Sequence, residues 1–199
     1  GVAQCLVEPT ADGPVELEAL VNGAVFRVLA ENISRERTFG QVSIKVSGRG
    51  CNAVLDAPYS AQQVFANEQM RTSQQLMEDV LTFNGIPLGY GIDYGLEPWE
   101  VPAGVFNHQG TYITALSALT QAGGGYLIPH RWDKSFAVRH LYPVKPWEVA
   151  AVDVVLPADV VVRESVAWKE MPAYNRVYVS GQQQGVLARV TRAGTAGEI

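Results

Sequence analysis

Residues 15–23 constrain the fold of this chain more than any other stretch. Val15, Leu17, Ala19 and Val21 alternate with Glu16, Glu18, Leu20 and Asn22, close to the period of two that gives a strand one apolar side. Asn22-Gly23 follows at once. Both residues accept positive φ, so the pair closes a tight hairpin. The return strand is expected from about Ala24 to Ile33. A third strand is marked by Val42, Ile44 and Val46, with Ser43, Lys45 and Ser47 on the other side. The first fifty residues therefore read as an antiparallel meander, whose edge strands need cover.

The middle of the chain changes character. After Ser47-Gly48-Arg49-Gly50, a helical turn is expected over Asn52 to Asp56, stopped by Pro58. Thr72 then opens a helix, because Thr72 and Gln75 have the spacing of a capping box. Leu76, Val80 and Phe83 line its apolar face, Met77 and Leu81 widen it, and Asn84-Gly85 offers a left-handed stop. A second helix is expected from Thr111 to Ala122, with Tyr112, Ile113, Leu116 and Leu119 apolar and Gly123-Gly124-Gly125 ending it. A hairpin follows, Tyr126 to Ile128 against Phe136 to Leu141, turning through Arg131-Trp132-Asp133-Lys134. Residues 85–108 are rich in Gly and Pro and read as strand fragments and ordered loop.

From Val152 the sequence reads as β again, at Val152, Val154, Val155 and Val160 to Val162. Val177 and Val179 alternate with Tyr178 and Ser180, a polar turn spans Gly181 to Gly185, and a last strand runs from Val186 to Thr191. The expected fold class is α+β and β-rich. Antiparallel, barrel-like β segments at both ends, residues 1–50 and 150–199, flank a middle α/β segment at 51–149 with two helices and a hairpin. The final sheet reads as incomplete, so its strands are expected to take partners either from a continuation of the chain or from another subunit. Pro98-Trp99-Glu100-Val101 recurs as Pro146-Trp147-Glu148-Val149, but the helices do not share that spacing, so the echo is no tandem repeat.

Composition narrows the function classes. Of the 199 residues, 47% are hydrophobic and 18% charged, which is too apolar for intrinsic disorder. The net charge is -5, and no Lys/Arg cluster exists to neutralise phosphates, so specific nucleic-acid binding is not expected. No membrane association is expected either. The longest apolar run, Ala150 to Val162, falls short of the ~20 residues of a spanning helix and is broken by Pro157. No signal peptide is visible, and a start at Gly1 reads as trimming or tagging. Two cysteines, Cys5 and Cys51, are too few for a disulfide framework; a single bridge between them is one reading, and free buried thiols in a reducing compartment are the favoured one.

The search for chemistry assigns no catalytic, cofactor-binding or metal-binding residue. His108, His130 and His140 stand far apart, without the local ligand pairs of a zinc site. Gly89, Gly91 and Gly95 miss the dinucleotide spacing and precede no helix, and Gly123 to Gly125 follow a helix where a phosphate loop would precede one. No G-x-S-x-G elbow is present. A Cys51 thiolate beside Arg49 lacks an assignable base and reads better as a structural thiol. Asp93, Glu97 and Glu100, in a loop with Tyr90, Tyr94 and Trp99, would suit a sugar cleft but read better as a loop packed by its own rings. The expectation is a protein that works by shape and contact, with no enzymatic activity.

The order of elements resembles the baseplate or tail hub family of contractile-tailed phages, of the Mu-like tail protein and late-control protein D types, related to the base of type VI secretion spikes. The resemblance is carried by Val46-Ser47-Gly48-Arg49 followed by Val54-Leu55-Asp56, by Thr72 to Gly85, by Thr111 to Tyr126, and by Asn175-Arg176-Val177-Tyr178-Val179-Ser180-Gly181 with a further strand at Val186 to Thr191. It spans roughly residues 15–192. Family members are usually longer and complete a second barrel. The resemblance implies a virion structural protein of a phage or prophage tail, assembled in the bacterial cytoplasm. Its form would be a homotrimer whose ring joins the tail tube to the spike, with tube and spike proteins as partners. Two alternatives remain. Trp99, Trp132, Trp147 and Trp168 could serve a carbohydrate-binding module if they face solvent on one surface. The Asp93 to Glu100 loop could serve a glycoside hydrolase if two carboxylates face each other in a cleft.

Overall fold

The computed structural model describes residues 13–144, 148, 151, 154, 155, 157–172, 174–180 and 187–194. The chain divides into two compact units, Gly1–Ala150 and Ala151–Ile199. It is α+β and β-rich, the described residues forming two α-helices among several small, mostly antiparallel sheets. Among the described residues no sheet closes into a barrel.

The first unit opens with the expected meander. Strands β1 (Val15–Val21), β2 (Ala24–Thr38) and β3 (Gln41–Gly50) form one antiparallel sheet in that order. Asn22 and Gly23 take positive φ at the β1–β2 turn, as a tight hairpin requires. β2 and β3 run much further than the apolar alternation marked. β1 covers β2 only as far as Ala30, so the hairpin beyond it, residues 32–47, stands as a two-stranded arm. The register shifts between Ala30 and Asn32, a bulge that leaves Glu31 as the extra residue.

A 3₁₀ turn at Cys51–Leu55 leads into the rest of the unit. There, β4 (Gln63–Ala66) pairs with β10 (Asn107–Gly110), and β5 (Arg71–Thr72) with β9 (Glu100–Val101). Helix α1 (Ser73–Val80) carries the capping box, with the Thr72 hydroxyl accepting from Gln75 N–H at 3.2 Å and Thr72 N–H donating to Gln75 Oε1 at 3.0 Å. The helix ends earlier than expected. Phe83 belongs to β6 (Thr82–Phe83), paired with β7 (Ile86–Pro87), and is exposed. Asn84-Gly85 is therefore a hairpin turn and no helix stop. Both residues have positive φ, the same chemistry that Asn22-Gly23 uses.

Helix α2 (Tyr112–Ala122) is capped by the Thr111 side chain. The expected hairpin forms from β11 (Gly125–Pro129) and β12 (Ser135–His140), and β12 also pairs in parallel with β8 (Gly91–Tyr94). The core lies between the two helices and this sheet, with Leu76, Met77, Leu116, Leu119, Phe136 and Val138 at its centre. Each such side chain contributes about 1.5–3 kcal/mol when fully buried. Gly123 and Gly125 do more than end α2. A Cβ at Gly123 would lie 2.5 Å from the Trp99 ring, so the glycine makes room for the indole.

The second unit holds less regular structure than the sequence suggests. Val154, Val155, Val161 and Val162 lie outside any strand, and Ala158–Val160 form a 3₁₀ turn. Valine-rich segments become strands only when a neighbour supplies backbone partners, and none of the described residues does so here. Strands β13 (Arg176–Ser180) and β14 (Leu187–Thr191) pair antiparallel as expected. The Gly181 to Gly185 turn, Val152 and Val186 lie outside the described residues.

Candidate assembly surface

The arm of β2 and β3 is built with two unlike sides. Residues directly opposite in an antiparallel pair share a side, and successive residues alternate. The register therefore groups Ile33 with Val46, Arg35 with Ile44, and Arg37 with Val42 on one side. The other side holds Asn32 with Ser47, Ser34 with Lys45, Glu36 with Ser43, and Thr38 with Gln41, without one apolar residue. On β3 the apolar side continues through Gly48 and Gly50 to Ala30, Val28 and the Val15/Leu17 row of β1. Val42 is 52% and Ile44 36% exposed, and Phe39 at the tip is fully exposed. A two-stranded ribbon gains little stability alone, and this side leaves Phe39, Val42 and Ile44 in solvent, which makes it a candidate contact surface.

The root of the arm is fixed by a polar clamp. Arg49 of β3 reaches across to the bulged Glu31 through Nε at 2.9 Å and Nη2 at 2.8 Å. Its Nη1 donates to Asp56 Oδ2 at 3.0 Å, and Nη2 to the Ala57 carbonyl at 2.7 Å. Tyr59 O–H donates to Glu31 Oε1 at 3.1 Å, and the buried Thr111 hydroxyl donates to Asp56 Oδ1 at 2.8 Å. Arg49 holds the Glu31 carboxyl below its usual range. Burial works against ionisation of Asp56, but hydrogen bonds from Thr111 and Ala57 N–H, together with Arg49, outweigh it and lower its pKa. Gly48 is needed beside the bulge, since a Cβ there would collide with the Leu29 carbonyl oxygen.

The other candidates stay apart or are already engaged. His108 bonds the Thr114 hydroxyl at 3.0 Å, and His140 is exposed. Among the described residues no three His, Cys, Asp or Glu side chains converge on a metal position. Cys51 is buried, and burial pushes its thiol up. Arg49 is committed to the two carboxylates. Cys5 lies outside the described residues.

Asp93, His130 and Ser135 do line one open cleft of about 400 Å³, which spacing gave no hint of. They form no relay there. Asp93 is held by Arg139, and His130 Nδ1 accepts the Asp133 N–H at 3.1 Å. Glu100 lies in a different sheet, opposite Thr72. Trp99 packs on the core, and Trp132 is half-buried, edge-on to His130 and beneath the Arg131 guanidinium. Trp168, in the second unit, is 95% exposed. Trp147 and most of the second Pro-Trp-Glu-Val lie outside the described residues. Among the described residues no helix is long and apolar enough to cross a membrane.

Comparison with protein-family models and with curated proteins finds no match.

Sequence reasoning missed the clamp. The one available signal was the pairing of an acidic residue in β2 with Arg49 in β3, and it becomes readable only once the bulge is known.

Proposed function

We propose that this chain is a structural component of a phage or prophage tail, forming part of the hub ring that joins the tail tube to the spike. The observation that carries this reading is the arm, an amphipathic ribbon rigidly rooted by Arg49 with its apolar side in solvent. Such a surface is stable in isolation only at a cost and is put to use when another subunit covers it. The Gly48-Arg49 pair, part of the resemblance to tail hubs, has a definite task in this setting, since it builds the root of the arm.

In this role the protein works by contact and no bond is made or broken. The test is direct. Antibodies against residues 13–144 should label tail particles at the junction of tube and spike in electron microscopy. Deleting the gene should leave tubes without spikes. Labelling elsewhere on the particle, or normal tails in the deletion, would remove the reading.

A further inference from the structure

We propose that two copies of this chain pair β3 to β3 across a twofold axis centred on Ile44. The inference stands on strand register alone and does not need the hub reading. β3 is an edge strand, and among the described residues nothing pairs with its outer side. Phe39-Gly40 is a two-residue turn flanked by Thr38 and Gln41, with Gly40 at φ 81°. In such a hairpin the flanking pair is hydrogen-bonded and bonded pairs alternate. The N–H and C=O groups of Val42, Ile44 and Val46 therefore point outward.

A twofold at Ile44 sets these groups against their counterparts in the antiparallel sense. Val42 meets the partner's Val46, Ile44 meets the partner's Ile44, and Ser43 meets the partner's Lys45. Every apolar residue opposes an apolar residue, no like charges stand directly opposite, and the apolar side of the arm becomes continuous over both copies. The outer edge of β2 behaves otherwise. It carries Arg35-Glu36-Arg37, so a twofold on Arg35 or on Glu36 sets arginine against arginine. Charges of this kind guard an edge against pairing. β3 has only Lys45 between Gln41 and Gly48 and no proline, so the second copy is directed to this edge.

An isologous contact closes on itself and cannot generate a threefold ring. The pairing is therefore separate from any threefold contact of the hub reading.

Sedimentation of the whole chain over a micromolar concentration series tests the pairing. A monomer–dimer equilibrium is expected. Ile44→Glu, which opposes two carboxylates while leaving the backbone intact, should weaken it at least tenfold, and Arg35→Glu should leave it unchanged. In a Cys5→Ser background, Ile44→Cys should oxidise to a cross-linked dimer, since directly opposed residues lie within disulfide reach. Arg35→Cys should not. A monomer at every concentration, or a dimer indifferent to Ile44→Glu, overturns the proposal. Mislocalised antibody labelling would remove the hub reading and leave this one standing.

Discussion

Arg49 and Glu31 face each other across β2 and β3, joined through both Nε and Nη2 of the guanidinium, and the bulge puts them in reach. The pair ties β2 to β3 at the root of the arm. Because Arg49 also holds Asp56 and Ala57, one side chain ties two strands to the segment that follows them.

Replacing Arg49 with Met should keep the aliphatic packing and remove the clamp. The expected loss is about 1–2 kcal/mol, because bonds to charged groups are worth more than neutral ones but this side chain is 41% exposed and partly screened. Hydrogen exchange should rise at residues 31–34 and 45–50 and stay unchanged in α2. Equal protection in the arm would show that the clamp does not hold it.

Acid should act on the same place. Glu31 and Asp56 both have lowered pKa values. Their contribution is therefore complete above the ordinary carboxylate range and is lost as pH falls through the folded values, below about pH 4. Denaturant midpoints measured from pH 7 to pH 2.5 should fall at the acid end. They should fall less in Arg49→Met, which lacks the partner that lowers Glu31.

Gly48→Ala tests a backbone requirement. The added Cβ collides with the Leu29 carbonyl oxygen, a backbone atom that cannot swing aside. The substitution should cost about 2 kcal/mol or more, within the range of overpacking. Gly50→Ala, where the nearest atom is 4.0 Å away, should cost much less. Thermal melts of the two variants give the comparison, and equal melting temperatures would contradict it.

Asn67, directly after β4, ties its own segment to the loop between β9 and β10. Its amide donates to the Pro102 carbonyl at 2.7 Å and the Gln69 carbonyl at 3.0 Å, and its Oδ1 accepts from Phe106 N–H at 2.9 Å. Asn67 itself is buried, and Asn67→Ala leaves the partly buried Pro102 carbonyl and Phe106 N–H without this partner, so denaturant melts should show a loss of about 1–3 kcal/mol. Asn67→Asp should recover little, because a carboxylate cannot donate to the two carbonyls.

Local chemistry made much of this fold legible. The Asn22-Gly23 turn, the Thr72 capping box and the periodicity of α2 each follow from residues that lie close in sequence, and each stands where it was expected. Asn84-Gly85 shows the limit, since the same dipeptide can stop a helix or close a hairpin, and Thr82 and Phe83 decided for the hairpin. The valines at 154, 155 and 160 to 162 misled for a different reason. Strand propensity describes a side chain that fits a pleated surface, and it cannot supply the neighbouring backbone. The arm and its clamp were partly hidden because Glu31 meets Arg49 only through an irregular step in register, which no fixed period encodes.

Thr111 performs two tasks at once, capping α2 and holding Asp56. Any force on the tip of the arm thus travels through Arg49 and Asp56 into the start of a helix whose far side is packed solid. A push on the arm therefore loads the first turn of α2 as well as the sheet, because the cap and the clamp share Thr111 and Asp56.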